Sequence, residues 1–450
     1  MLFRKMKKNI DDWIKNGTKP LMIDGARQVG KSYLIRESLK GSGVEFYEFN
    51  FLKNKLAKKT FEACLDLDEE TFALSLETLC GKKPSKGSIL FLDEVQEIKE
   101  MLTIIKFLAE ENKYRYILSG SLLGVELIDL KSAPVGYLDT LDMYPMDLEE
   151  FYIANGLSEE LLSYLKDKFE KKEPVEDSIH ETLINAFYRY LIVGGMPEAV
   201  KKYVNEQDLN KVVRIHKSIA REYKRDFTKY EKKQKLKLIK TYELIPSELD
   251  SKNKRYVFTD LDLDLKFDQY ENSFNWLSAA GVAIPTFNVT EYQIPLERSK
   301  KSNLFKMYLS DVGMLSSSYG KATILKLLSH GESINCGAMF ENFVAQELLA
   351  HGFPTYYFNS KKHGEVDFLI EYEEELLPIE VKSGKDYTSH SALNYFMSTP
   401  CFKHAIVFST RNVASKGNIT YLPIYMTMFL HNDQILQKDQ PLDLSKLSLR

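Results

Sequence analysis

The segment Gly25-Ala26-Arg27-Gln28-Val29-Gly30-Lys31-Ser32 constrains this chain more than any other. It fits G-x-x-x-x-G-K-[ST] and stands between an apolar run, Leu21 to Ile23, and a helical pattern that begins at Lys31. Glycines let a backbone curl until its N–H groups face phosphate oxygens, and the positive end of the following helix adds to the attraction. In that setting Lys31 reaches the β- and γ-phosphates of a nucleotide, Ser32 ligates magnesium, and the loop through Tyr33 lines the ligand.

The surrounding sequence fits such a loop. From Pro20 to about Pro145, short apolar runs alternate with helical patterns near 31–40, 57–80 and 97–112, the mark of a parallel α/β sheet. One run, Ile89-Leu90-Phe91-Leu92, ends in Asp93-Glu94. Ligands gather at the carboxyl ends of strands in open α/β sheets, so Asp93 is expected to hold magnesium and Glu94 to polarise an attacking water. A further run, Tyr116 to Leu118, leads into Ser119-Gly120-Ser121, where either serine could sense a terminal phosphate or serve only as a turn residue.

Composition excludes several classes. With 61 Lys plus Arg against 64 Asp plus Glu in 450 residues, the formal charge is −3, which rules out a uniformly basic coat. The charge is unevenly spread. Residues 141–180 hold 11 acids and 4 bases, and residues 211–240 hold 12 bases and 3 acids, net charges of −7 and +9. Cys64, Cys80, Cys336 and Cys401 lie too far apart for a CxxC metal half-site and are too few for a disulfide scaffold. No run of 18 apolar residues predicts a membrane helix, and the expected setting is cytoplasmic.

Taken together, these segments resemble the archaeal-type predicted ATPases of the AAA superfamily, which carry a C-terminal domain of unknown function. The resemblance rests on Gly25 to Ser32, Leu92 to Glu94, Leu118 to Ser121, Tyr144 to Phe151, Val193 to Ala199, Asp226 to Tyr230 and Phe305 to Gly313. It implies ATP and Mg2+ as ligands and a P-loop ATPase core over residues 1–155. It also implies a helical lid over 156–205, a winged-helix-like region over 206–325 and an α/β domain of PD-(D/E)XK nuclease type over 326–450. Where such proteins often carry Gly-Arg, this chain has Gly136-Tyr137. An arginine acting on the γ-phosphate would then come from Arg221 or Arg225, in this subunit or a neighbour, unless both are solvated helix residues.

The nuclease resemblance rests on Glu341, Asp367, Glu380 and Lys382, the pattern E…D…E-x-K. Side chains alternate along a strand, so Glu380 and Lys382 share a face, and a bend near 374 sets Asp367 opposite Glu380 or Val381. Glu341, Asp367 and Glu380 would hold metal, with Lys382 positioning water at a phosphodiester; the same charges also suit an exposed hairpin. Tyr356 and Tyr357 could stack on bases or pack in the core. Two readings of function remain: an ATPase acting on or binding DNA, and a nucleotide-gated scaffold with a catalytically dead nuclease fold and a protein partner. Both allow a homo-oligomer.

Overall fold

The computed structural model describes residues 2–98, 100–121, 136–227, 232–251, 254–256, 270–329, 336–360, 362–384 and 386–432. Thr228 to Tyr230, one end of a segment that carries the resemblance, lie outside the described residues, as does part of the basic stretch.

The apolar runs of the first third form a five-stranded parallel sheet: β1 (Leu21–Asp24), β2 (Phe46–Asn50), β3 (Ile89–Asp93), β4 (Arg115–Ser119) and β5 (Asp139–Asp142). The spatial order is β2-β3-β4-β1-β5, so β4 separates the loop-bearing strand from the acid-bearing one. β3 is buried along its whole length, which accounts for its unbroken apolar run. Sequence reading does not find β5. Its residues Asp139-Thr140-Leu141-Asp142 are polar but for Leu141, and the strand is largely exposed at the sheet edge. The helical pattern expected over 57–80 is two helices, Lys55–Glu62 and Glu69–Cys80, and Asp68 caps the second by accepting from Thr71 N–H at 2.8 Å.

The helices Glu159–Lys171, Asp177–Val193, Pro197–Glu206, Leu209–Asp226, Lys232–Asp250 and Glu271–Ala279 then lead into the strands β6 (Ala283–Val289) and β7 (Lys300–Leu309). The remaining strands are β8 (Tyr356–Ser360), β9 (Gly364–Tyr372), β10 (Glu375–Val381), β11 (Ala405–Ser409), β12 (Ala414–Lys416) and β13 (Ile419–Pro423). They form one mixed sheet with β6 and β7, ordered β12-β13-β11-β10-β9-β8-β6-β7. β6 pairs in parallel with β8, Phe287 opposite Tyr356, so this sheet runs across residue 325, where the sequence suggests a boundary. The helix Gly337–Ala350 packs on it, buried on almost every side, and Phe340 and Phe343 meet Phe187 at ring distances of 5.2 and 4.9 Å. Among the described residues no helix is long and apolar enough to cross a membrane.

Three segments that carry the resemblance meet as a clasp. Gly195 N–H donates to Asp311 Oδ2 at 2.5 Å, and its carbonyl accepts from Met146 N–H at 2.7 Å. A Cβ on Gly195 would stand 2.0 Å from the Met146 carbonyl oxygen, so no other residue fits. Burial pushes the Asp311 carboxyl up to about 6 against the N–H groups that favour its charge.

Beside this clasp His216 is fully buried, and burial pushes its imidazole down to about 4 from an ordinary 6.5. The unfolded chain therefore takes up a proton below pH 6.5 that the folded one refuses until about pH 4. Stability present above pH 6.5 should fall by about 3 kcal/mol as the pH drops through that window. Urea unfolding of wild type and His216→Leu at pH 7 and pH 4.5 measures this, and the variant should lose less on acidification.

Candidate functional site

The phosphate-loop geometry follows from its glycines. Gly25 has φ 138°, and a Cβ there would lie 2.1 Å from the Met143 carbonyl oxygen. Gly30, with φ 100°, opens the helix Lys31–Ser42. Lys31 is buried and folds back over the loop, its Nζ donating to the carbonyls of Gly25 at 2.6 Å and Ala26 at 2.8 Å. Burial pushes its ammonium down to about 8, offset in part by Asp24, Glu94 and Asp93.

Asp93 is the hub of the strand ends. Its Oδ1 accepts from Ser32 Oγ at 2.7 Å and Ser119 Oγ at 2.5 Å, and its Oδ2 from Asn50 Nδ2 at 2.8 Å and Arg36 Nη2 at 3.4 Å. Asn50 and Ser119 are the partners of Asp93 on the two flanking strands. Sequence reasoning misses Asn50 and Arg36. The available signals are the polar end of the Val44 to Phe51 run and the four-residue step from Ser32 to Arg36, which puts both on one helix face. Glu94 stands next in the chain with φ 59°, an uncommon left-handed conformation for a side-chain-bearing residue, and its Oε2 accepts from Gln96 Nε2 at 2.5 Å.

The other loop residues divide between two surroundings. Arg27 Nη1 donates to both carboxylate oxygens of Asp226 at 2.7 Å, and Gln28 Nε2 donates to Glu222 Oε2 at 2.5 Å. Both acceptors lie on the helix Leu209–Asp226, so these two side chains face the middle of the chain. Val29, Gly30 and Tyr33 instead line a cavity of about 550 Å³, walled by Phe3, Ile153 and Pro197 and edged by Glu198 and Lys201. Arg221 and Arg225 are exposed on that same helix.

In the second sheet, Glu373 and Glu374 make a two-residue turn with φ 48° and 65°, and the register runs from Tyr372 opposite Glu375 to Phe368 opposite Ile379. Asp367 therefore comes beside Glu380, and its Oδ2 accepts from Val381 N–H at 2.9 Å. Lys382 Nζ pairs with Glu380 Oε1 at 2.8 Å. Glu341 reaches in from the helix Gly337–Ala350, where Tyr308 OH donates to its Oε2 at 3.1 Å.

Two lysines that sequence reasoning does not assign share this centre. Lys306 Nζ, on β7, lies 2.6 Å from Glu365 Oε1, 3.4 Å from Glu341 Oε2 and 3.8 Å from Asp367 Oδ1, with its side chain 0% exposed. Lys254 pairs with Glu341 Oε1. Burial alone would raise the Glu341 carboxyl, yet these ammonium groups hold it at about 2. The Asp367 carboxyl is pushed well above its ordinary value by burial and by Glu341 and Glu380. Among the described residues no three His, Cys, Asp or Glu side chains converge in a way that could hold a metal ion. Tyr356 and Tyr357 are both buried; Tyr356 OH bonds Glu297, and the Tyr357 ring lies 5.2 Å from Lys306 Nζ.

A parallel five-stranded sheet, a phosphate loop and an acid-ended strand one position beyond the intervening strand define a P-loop α/β domain. Residues 17–152 match the family model described as AAA domain. Residues 184–323 and 336–426 match two domains of unknown function, DUF8612 and DUF4143. No curated protein matches the chain. Among solved structures, the chain is similar to a Walker-type ATPase of Pyrococcus abyssi at 13% identity and TM-score 0.42, over 71% of this chain and 96% of that one. A RuvB variant of Thermotoga maritima matches at 14% identity and TM-score 0.27, over 63% and 90% of the two chains. PCH-2 of C. elegans matches at 11% identity and TM-score 0.23, over 39% and 49%.

Proposed function

We propose that the protein binds and hydrolyses ATP and uses the cycle to regulate how its middle and its nuclease-like C-terminal part bind DNA. The observation that carries this reading is the convergence of Lys31, Ser32, Asp93, Glu94 and Ser119 at adjoining strand ends beside a glycine-shaped loop. Lys31 would exchange the Gly25 and Ala26 carbonyls for phosphate oxygens, and the adenine base would enter the cavity beside Tyr33. Ser32 and Asp93, 2.7 Å apart, are the hydroxyl and carboxylate donors that magnesium takes; when bound, it neutralises charge on the phosphates. Glu94 would orient water, and Ser119 would sense the terminal phosphate.

The helix Leu209–Asp226 supports a link to DNA. Its inner face holds Arg27 and Gln28 of the loop through Asp226 and Glu222, while Arg214, Lys217, Arg221 and Arg225 are exposed at three- and four-residue steps along another. A stripe of this kind suits a phosphate backbone without regard to sequence. Titrating labelled duplex DNA across a salt series, with and without ATP, tests it. Replacing all four cations by alanine should weaken binding and flatten the log–log salt slope by up to roughly 0.9 per lost phosphate contact. Salt-independent binding, or binding unchanged in the variant, would remove DNA from the proposal.

The second reading, a nucleotide-gated scaffold with a silent nuclease-like fold and a protein partner, is favoured by one observation: lysine ammonium groups sit among the C-terminal carboxylates.

A further inference from the structure

We infer that the acidic centre of the second sheet is neutralised by its own cations, Lys306 and Lys254, and does not take the divalent ion that the nuclease resemblance implies. The centre is thus metal-independent as folded. This inference does not depend on the ATP site.

Geometry comes first. Glu341, Glu365 and Asp367 all have an oxygen within 3.8 Å of Lys306 Nζ, so the ammonium stands between these carboxylates. Magnesium demands oxygens at about 2.0–2.1 Å in octahedral array, and a dication cannot take that space while the ammonium fills it. Charge leads to the same conclusion. Glu341, Glu365, Asp367 and Glu380 supply four formal negative charges, and Lys254, Lys306 and Lys382 supply three positive ones. The cluster is balanced to within one charge by the chain's own side chains.

Lys306 is also held in place. It lies on β7 opposite Thr286 of β6, and the ladder continues through β8 to β9, the strand of Asp367. The side chain crosses the Tyr357 ring and is wholly buried. Withdrawal would part a buried ammonium from the three carboxylates that balance its charge, which disfavours any other position for it. Lys254, just beyond the helix Lys232–Asp250, adds a second tie to Glu341. These contacts therefore fasten Lys254 and β7 to the elements that follow, and Lys382 remains paired with Glu380.

Mn2+ binding to full-length, nucleotide-free protein, followed by electron paramagnetic resonance, tests this. Wild type and Asp367→Asn should bind the same number of ions, since any ion near Ser32 and Asp93 is common to both. An ion bound by wild type but lost in Asp367→Asn would overturn the inference.

Discussion

With Lys31 replaced by alanine, affinity for ATP with magnesium should fall roughly 30- to 3,000-fold, the range for truncating one partner of a buried, hydrogen-bonded charge pair. The size of the effect follows from how Lys31 is held. Its ammonium is buried and turned inward over the loop, so a phosphate that displaces the two carbonyls meets a cation already shielded from water. Alanine also leaves the Gly25 and Ala26 carbonyls without that donor, so some thermal stability should be lost in the absence of nucleotide. Calorimetric titration with ATP gives the affinity, and a parallel melting curve separates misfolding from lost binding. Tight ATP binding by a folded Lys31→Ala protein would remove residues 25–32 from the phosphate site.

Glu94→Gln should have the opposite profile, with ATP retained and turnover reduced roughly 100- to 10,000-fold, the usual contribution of a positioned general base. Glutamine keeps the shape and can still meet Gln96, but it cannot accept a proton from water at neutral pH. The neighbouring Asp93 keeps its four donors, so ligand binding should be little altered. Single-turnover hydrolysis under saturating protein measures the chemical step directly. Unchanged hydrolysis would exclude Glu94 from the reaction.

How much was legible in the sequence depended on distance along the chain. The loop, its flanking strand and helix, and the Asp93-Glu94 strand end are local patterns, and the register that sets Asp367 beside Glu380 follows from one tight bend and a period of two. The rest required contacts between distant segments. Lys306 sits within Phe305-Lys306-Met307-Tyr308, and nothing nearby states that its partners are 35 to 61 residues further on. Asn50 joins Asp93 only because β2 and β3 pair in register. β5 escapes because an edge strand with polar side chains has no apolar signature, and Arg27 and Gln28 turn toward Asp226 and Glu222 across nearly 200 residues.

The eight-stranded sheet that crosses residue 325 also bears on how the chain can be divided. Cutting there would open the β6 and β8 edges together, exposing unpaired N–H and C=O groups of the kind that recruit other strands. The C-terminal fragment would lose the Lys254 and Lys306 ammonium groups in the same stroke, leaving Glu341 and Asp367 buried without them. β6, β7 and Lys254 thus cover the β8 edge and neutralise the carboxylates of the later elements, and ribosomal synthesis delivers them first.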